Sequence, residues 1–432
     1  MNQITHDSNI KNESCCPVCG SSNNSLIIKI SSPELLNKLL LNDILVNECL
    51  DCKHIYNELR EEDYLNILKY YEESYSLANL GNDNLITDKP GSLNEFSINR
   101  YELTAEFLLR SCPKDINILD IGCAEGGFLK FLSKNGFHNL SGIDTSTSYL
   151  TAAKKSSPQI NFEIGVAESI PFPDAYFDVI VIDQVLEHLH HPLVALDEIS
   201  RVLREDGKVI VGVPNASWYS RVGFFPYYWF LLKEHLQHFN IATLTQLFGR
   251  KSLTLISYRE TLTPMISSDV PLPNTVAVYK KKFDLLNEIR LDNIERESLD
   301  IKSYLVEQEN QWFSIKSTLV NYLTEGKPIY CWGLSRELQS LLGAGILNSS
   351  NILEVIDSNP TKIQAAQLYN PSMRACLPHN FGKESKDAIL IITAVAHSVP
   401  IENAALRLGF LGKIIKLDNQ SIGFNLSKKD CE

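Results

Sequence analysis

Two pairs of cysteines stand near the start of the chain. Cys16 and Cys19 form one Cys-x-x-Cys knuckle and Cys49 and Cys52 another, with twenty-nine residues between them. Four thiolates at this spacing can close a tetrahedral zinc site with no position left for substrate, so such an ion is structural. A redox dithiol needs only one such pair, and two favour a metal. Cys15 and His54 are bystanders nearby. A second chemistry is written at 118–127, where the apolar run Ile118-Leu119-Asp120-Ile121 enters Gly122-Cys123-Ala124-Glu125-Gly126-Gly127 and then the helical Phe128-Leu129-Lys130-Phe131-Leu132. A strand, a Gly-rich turn and a helix start build a nucleotide crevice at the carboxyl end of a parallel sheet. The next strand-like run ends in Asp144, twenty-four residues after Asp120. A carboxylate there can accept from both hydroxyls of a ribose. Dinucleotide binders use a third glycine where this chain has Ala124. A third set could move protons: His188, with His190 and His191 behind it, and the adjacent Glu234-His235.

These residues need elements to hold them. At 432 residues the chain predicts two or three domains, and 44% apolar and 21% charged residues are ordinary for globular protein. A net charge of -12 argues against a nucleic-acid partner, whose phosphates need Lys and Arg. No apolar run reaches membrane-span length, and the polar stretch 1–13 lacks a signal-peptide core, so a cytoplasmic enzyme is expected. Five of the ten cysteines fall between Cys15 and Cys52, which in a reducing compartment reads as metal binding.

The expected organisation is a zinc-binding unit over 1–60, a helical connector over 61–100 and an α/β cofactor domain over 101–262. A linker and helical segment over 263–326 and a smaller α/β domain over 327–432 follow. The linker rests on Thr263-Pro264, Pro271 and Pro273. The aromatic run Phe224-Phe225-Pro226-Tyr227-Tyr228-Trp229-Phe230 reads as an inserted hairpin, a lid, a dimer contact or a lipid-facing patch.

Ordered blocks follow the Gly-rich turn: Asp144, then Ala167-Glu168-Ser169-Ile170-Pro171-Phe172, then Phe177-Asp178-Val179-Ile180, then Asp206-Gly207-Lys208. Together these resemble the class I S-adenosylmethionine-dependent methyltransferases, across about 150 residues, with their Rossmann-like core. The resemblance implies that Asp120, Gly122 and Gly126 shape the cofactor pocket and that Asp144 holds the ribose. It also implies that Ala167 and Glu168 sit by the adenine, and that Asp183 or Gln184 lies near the methionine end.

The whole arrangement resembles the three-part sugar C-methyltransferases of deoxysugar pathways. The carboxyl-terminal part of that likeness rests on Ile329-Tyr330-Cys331-Trp332-Gly333, Val355-Ile356-Asp357-Ser358-Asn359-Pro360, Pro378 and Ala388-Ile389-Leu390-Ile391-Ile392-Thr393. It implies that His188, Glu234 and His235 act at the acceptor, that Tyr75 or Tyr71 contributes a hydroxyl, and that the acceptor is a nucleotide-sugar. The family carries Tyr-His before Glu-His, and this chain has Leu232-Lys233. Carbon and oxygen methylation therefore both stay open. So do an apolar or lipid-like acceptor, a cofactor-binding module without turnover, and a monomer or homodimer.

Overall fold

The computed structural model describes residues 15–36, 38–72, 91–221, 230–231, 233–265, 268–281, 300–324, 326–381 and 386–417. Tyr75, Leu232 and most of the aromatic run at 224–230 lie outside these described residues.

Strands β1 (Asn24–Ser31), β2 (Asp43–Cys49) and β3 (Ile55–Glu58) form an antiparallel sheet between and beyond the two knuckles. Each knuckle closes on its own first cysteine. Gly20 N–H donates to Cys16 O at 2.8 Å, and Lys53 N–H to Cys49 O at 2.9 Å. The helix Glu61–Tyr70 leads away from this sheet, and the helix Glu95–Ser111, capped by Asn94, leads into the next.

The central sheet contains β4 (Asn117–Ile121), β5 (Asn139–Asp144), β6 (Asn161–Ile164), β7 (Phe177–Asp183) and β8 (Leu203–Pro214). After the two-residue β9 (Gln237–His238) come β10 (Leu253–Met265) and β11 (Ser268–Lys281), and the spatial order is β10-β11-β8-β7-β4-β5-β6. Strands β4 to β8 run parallel, whereas β11 lies antiparallel between β8 and β10. The strands are apolar almost throughout because both faces are covered. Their alternation sorts residues onto the two faces. Leu119, Ile121, Ile180 and Ile182 pack under the helices Pro192–Val202 and Ile241–Gly249, while Ile118, Val179 and Val181 pack under Glu95–Ser111, Gly127–Lys134 and Thr147–Ser156.

The expected linker at 263–273 is instead the outer half of the β10–β11 hairpin, where Thr263 pairs with Leu272 and Pro264 with Pro271. The prolines misled because they remove N–H donors. Strand β11 meets β8 only from Asn274 onward, so Pro271 and Pro273 sit where it has a free edge.

The zinc-type unit is tied to the segments around the central sheet at two places. Cys16, Val18, Cys49 and Tyr56 belong to the same core as Leu119 and Ile180. Strand β3 also pairs with β9, Ile55 opposite His238 and Tyr56 opposite Gln237. A long helix, Asp300–Thr324, precedes the last sheet. That sheet is parallel, in the order β14-β13-β12-β15-β16, built from β12 (Ile329–Trp332), β13 (Ile352–Ile356), β14 (Ala375–Cys376), β15 (Ile389–Ile392) and β16 (Lys413–Lys416). No helix among the described residues is long and apolar enough to cross a membrane.

Candidate cofactor and acceptor site

A cavity of about 510 Å³ opens at the carboxyl ends of β4, β5 and β7, the size of an ordinary small-molecule site. Its walls include Asp120, Gly122, Ala124, Asp144, Ala167, Glu168, Asp183, Gln184 and His188, so the cofactor residues expected from sequence largely converge there. Gly126 does not line it. That residue starts the helix Gly127–Lys134 and lies against the Phe162 ring.

The turn after β4 is shaped by its bonds to β5. Gly122 N–H donates to Ile143 O at 2.8 Å, and Ala124 N–H to Asp144 Oδ2 at 2.8 Å. Gly122 has φ of +75°, and a Cβ there would stand 2.3 Å from Val185 Cγ2, so turn shape and space both require glycine. Asp144 Oδ1 accepts from Ser146 N–H at 2.8 Å. These two bonds fix the carboxylate and leave lone pairs for a ligand in the cavity.

The chain after β7 leans away from β4. Gln184, at φ of +58°, donates its N–H to Gly212 O on β8 at 2.8 Å, and its side chain reaches Asn274 Oδ1 at 3.4 Å. Burial, together with the neighbouring Asp183 and Asp144 charges, pushes the Asp120 carboxyl well above its usual range. Asp183 is pushed up by burial and drawn back by Arg100, whose Nε lies 3.4 Å from Asp183 Oδ2.

Arg100, on the helix before β4, is the residue that sequence reasoning missed. It is the one Lys or Arg among the described wall residues, which also carry four carboxyls. The sequence signal is faint, a single cation in Ile98-Asn99-Arg100-Tyr101. Tyr64, from the helix Glu61–Tyr70, was missed too; its hydroxyl donates to Glu168 Oε1 at 2.8 Å.

His188 lines the cavity from the short turn Leu186–His188. Its Nδ1 lies 2.8 Å from the Glu234 carbonyl oxygen and 2.8 Å from the Tyr71 hydroxyl. A carbonyl only accepts, so Nδ1 carries the proton and Nε2 keeps its lone pair. Burial lowers the proton affinity of His188 and keeps the ring neutral.

His235 and Glu234 are placed differently from His188, and neither is a wall residue. The His235 ring stands edge-on to His188 with centroids 4.8 Å apart. The Glu234 carboxylate points to Arg336 at 3.7 Å, so it is its backbone carbonyl that reaches His188. The zinc-type unit holds this loop. Asn57 Nδ2 donates to His235 O at 2.8 Å, its backbone N–H to Leu236 O at 2.9 Å, and His54 Nε2 lies 2.9 Å from Gln237 Oε1.

In the knuckles, Cys16 Sγ lies 3.6 Å from Cys52 Sγ and Cys19 Sγ 3.5 Å from Cys49 Sγ, and all four sulfurs fall within 4.8 Å of one another. Zinc–sulfur bonds of about 2.3 Å call for sulfur–sulfur edges of about 3.8 Å, so the donor set fits a tetrahedral ion.

Residues 94–258 match the family model described as "Methyltransferase domain". The chain is 30% identical over 159 residues to a "Probable S-adenosylmethionine-dependent methyltransferase" of Mycolicibacterium smegmatis, covering 37% of this chain and 60% of that protein. It is 29% identical over 104 residues to a ubiquinone/menaquinone biosynthesis C-methyltransferase of Campylobacter jejuni, covering 23% and 44%. It is 29% identical over 134 residues to a ubiquinone biosynthesis O-methyltransferase of Bradyrhizobium diazoefficiens, covering 30% and 51%. The chain thus spans less than two thirds of the length of each of these relatives. Residues 94–258 thus form a methyltransferase domain, and the turn after β4 braced by Asp144, with β11 reversed between β8 and β10 just beyond it, gives it the sheet order of the class I S-adenosylmethionine-dependent fold.

Proposed function

We propose that this chain transfers the methyl group of S-adenosylmethionine to a nucleotide-linked sugar. The observation that carries methyl transfer is the position of His188. It lines the same cavity as the cofactor residues, and its ring is fixed by Glu234 O and Tyr71. When bound, the cofactor supplies an electrophilic methyl group on a sulfonium. What the chain must add is orientation of the acceptor and a way for its proton to leave.

In this reading Asp144 accepts from the ribose, Ala167 and Glu168 border the base, and Arg100, Asp183 and Gln184 border the amino-acid end. His188 and Tyr71 face the acceptor, while His235 and the Glu234 backbone position His188. The four cysteines hold zinc, and through β3 and β9 that unit fixes the 234–238 loop.

The sugar acceptor is supported by the three-part arrangement and by the reach of the carboxyl-terminal unit to the acceptor loop, through Arg336 and Glu234. Carbon and oxygen acceptors both fit a neutral imidazole at this place. The test is a panel of keto- and hydroxy-sugar nucleotides incubated with the purified chain and methyl-labelled cofactor. Label on one of them is the expected result. Label on none, with an apolar phenol or quinol methylated instead, would overturn the sugar acceptor and leave the methyltransferase standing.

A further inference from the structure

The turn that carries His188 also carries a carboxyl that the reading above does not use. Glu187 is 1% exposed, and neither of its carboxylate oxygens has a hydrogen-bond partner. A buried carboxyl without partners is costly in either protonation state, and a ligand on it would remove that cost. Two nitrogen donors stand beside it. His188 Nε2 lies 3.9 Å from Glu187 Oε1. The His235 ring packs on His188, and one donor atom from each of Glu187, His188 and His235 lies within 4.8 Å of the other two.

The surroundings prepare these atoms for an ion. The hydrogen bond from Nδ1 to Glu234 O orients the His188 ring and leaves Nε2 as the donor, the second-shell pattern of metal-bound histidine. Asp183 adds negative potential at Glu187 against one cation, Arg100. Two imidazoles and one carboxylate are the donor set of first-row divalent ions that keep further positions open.

We propose that Glu187, His188 and His235 form a binding site for a divalent transition-metal ion, separate from the four cysteines and buried behind the part of the cavity wall that His188 forms. The site rests on the methyl-transfer reading only for its effect there, which would pass through His188, the one of the three that lines the cavity. With an ion on Nε2 and its proton on Nδ1, His188 has no lone pair left to act as a base and instead orders the wall it forms. Its donors differ from those of the cysteine site. That set is four soft sulfurs, whereas this one is nitrogen and oxygen.

The test uses the full chain with its cysteine site loaded with zinc, dialysed against a mild chelator and titrated with cobalt(II). One further equivalent is expected, with visible d–d absorption and without the near-ultraviolet charge-transfer band of thiolate ligation. Glu187→Gln matches the neutral acid in shape and is expected to fold. It and His235→Gln should each weaken cobalt binding at least about tenfold, while S-adenosylhomocysteine binding, read by calorimetry, stays within about twofold.

No uptake beyond the zinc site, uptake with a thiolate band, or equal uptake by parent and E187Q would each overturn the proposal. Should both variants fail to fold, the parent's stoichiometry and spectrum still decide it. Methyl transfer does not enter this readout. A chain that binds cobalt at this site but methylates no sugar nucleotide keeps the ion and loses the acceptor; the reverse result loses the ion alone.

Discussion

The central and carboxyl-terminal sheets use the same local device, and only one of them opens a cavity with it. In both, a glycine after the first strand donates its N–H to the second strand, Gly122 to Ile143 O and Gly333 to Ile356 O, each at 2.8 Å. In both, an aspartate ends that second strand and accepts twice. Asp144 takes N–H bonds from Ala124 and Ser146, and Asp357 from Leu334 and Asn359, all at 2.8 Å.

The difference lies on the neighbouring strand. After β7, Gln184 bonds to β8 and the chain swings off β4. After β15, Thr393 and Ala394 donate their N–H groups to Trp332 O at 3.0 and 3.2 Å, and the Thr393 hydroxyl donates to Gly333 O at 2.7 Å. Ser335 Oγ adds a bond to Thr393 O at 3.0 Å. The carboxyl-terminal crevice is thereby stitched shut at its switch point. A Gly turn with an acid at the end of the adjacent strand is therefore a fold-building motif first, and it becomes a ligand site only where the strand on the other side departs.

That contrast can be broken in several ways. The largest effect is expected from the paired aspartates. With the proposed ribose contact, Asp144→Ala would remove two hydrogen bonds of about 1.5 kcal/mol each, a loss near a hundredfold in S-adenosylhomocysteine affinity by calorimetry. Asp357→Ala should leave that affinity within about twofold and instead cost about 2–4 kcal/mol of stability in urea unfolding, because the buried Leu334 and Asn359 N–H groups lose their acceptor. Equal effects on binding would erase the distinction.

Next come the glycines. At Gly333 φ is +122° and a Cβ would stand 2.7 Å from Ala394 N, so Gly333→Ala should cost about 1–3 kcal/mol of stability without touching cofactor affinity. Gly122→Ala carries a comparable strain and should weaken cofactor binding as well. Smaller again, Thr393→Val removes the hydroxyl that bonds Trp332 O and Gly333 O, for about 1–2 kcal/mol, and should create no second cofactor site. The smallest effect is expected from Arg336→Met. It frees the Glu234 carboxylate from a half-exposed ion pair worth less than about 1 kcal/mol, visible as a slight drop in melting temperature.

The same contrast marks what could be read before any coordinates. The strands β4, β5 and β7, the turn after β4 and Asp144 are local patterns: an apolar run, small residues and an acid at one strand end. Both α/β units were legible for that reason. Whether the Asp357 crevice is open was not, because it depends on how Thr393 and Ala394, sixty residues from Gly333, meet Trp332. The hairpin arm at 263–273 was hidden by its prolines, which are tolerated only because that part of β11 has a free edge. Arg100 and Tyr64 are brought to the cavity by helices that precede the cofactor strands, and nothing in their neighbourhood marks them. Glu187 in Leu186-Glu187-His188 looks like a solvated charge, and only packing shows it buried beside His188.

The central claim is that one of two similar sheets holds the cofactor. Equilibrium dialysis of the full chain against labelled S-adenosylmethionine measures it directly. One mole per mole of chain is predicted for the parent and for Asp357→Ala, and none for Asp144→Ala at the same concentration. No binding by the parent, two moles per chain, or binding that follows Asp357 in place of Asp144 would contradict the account.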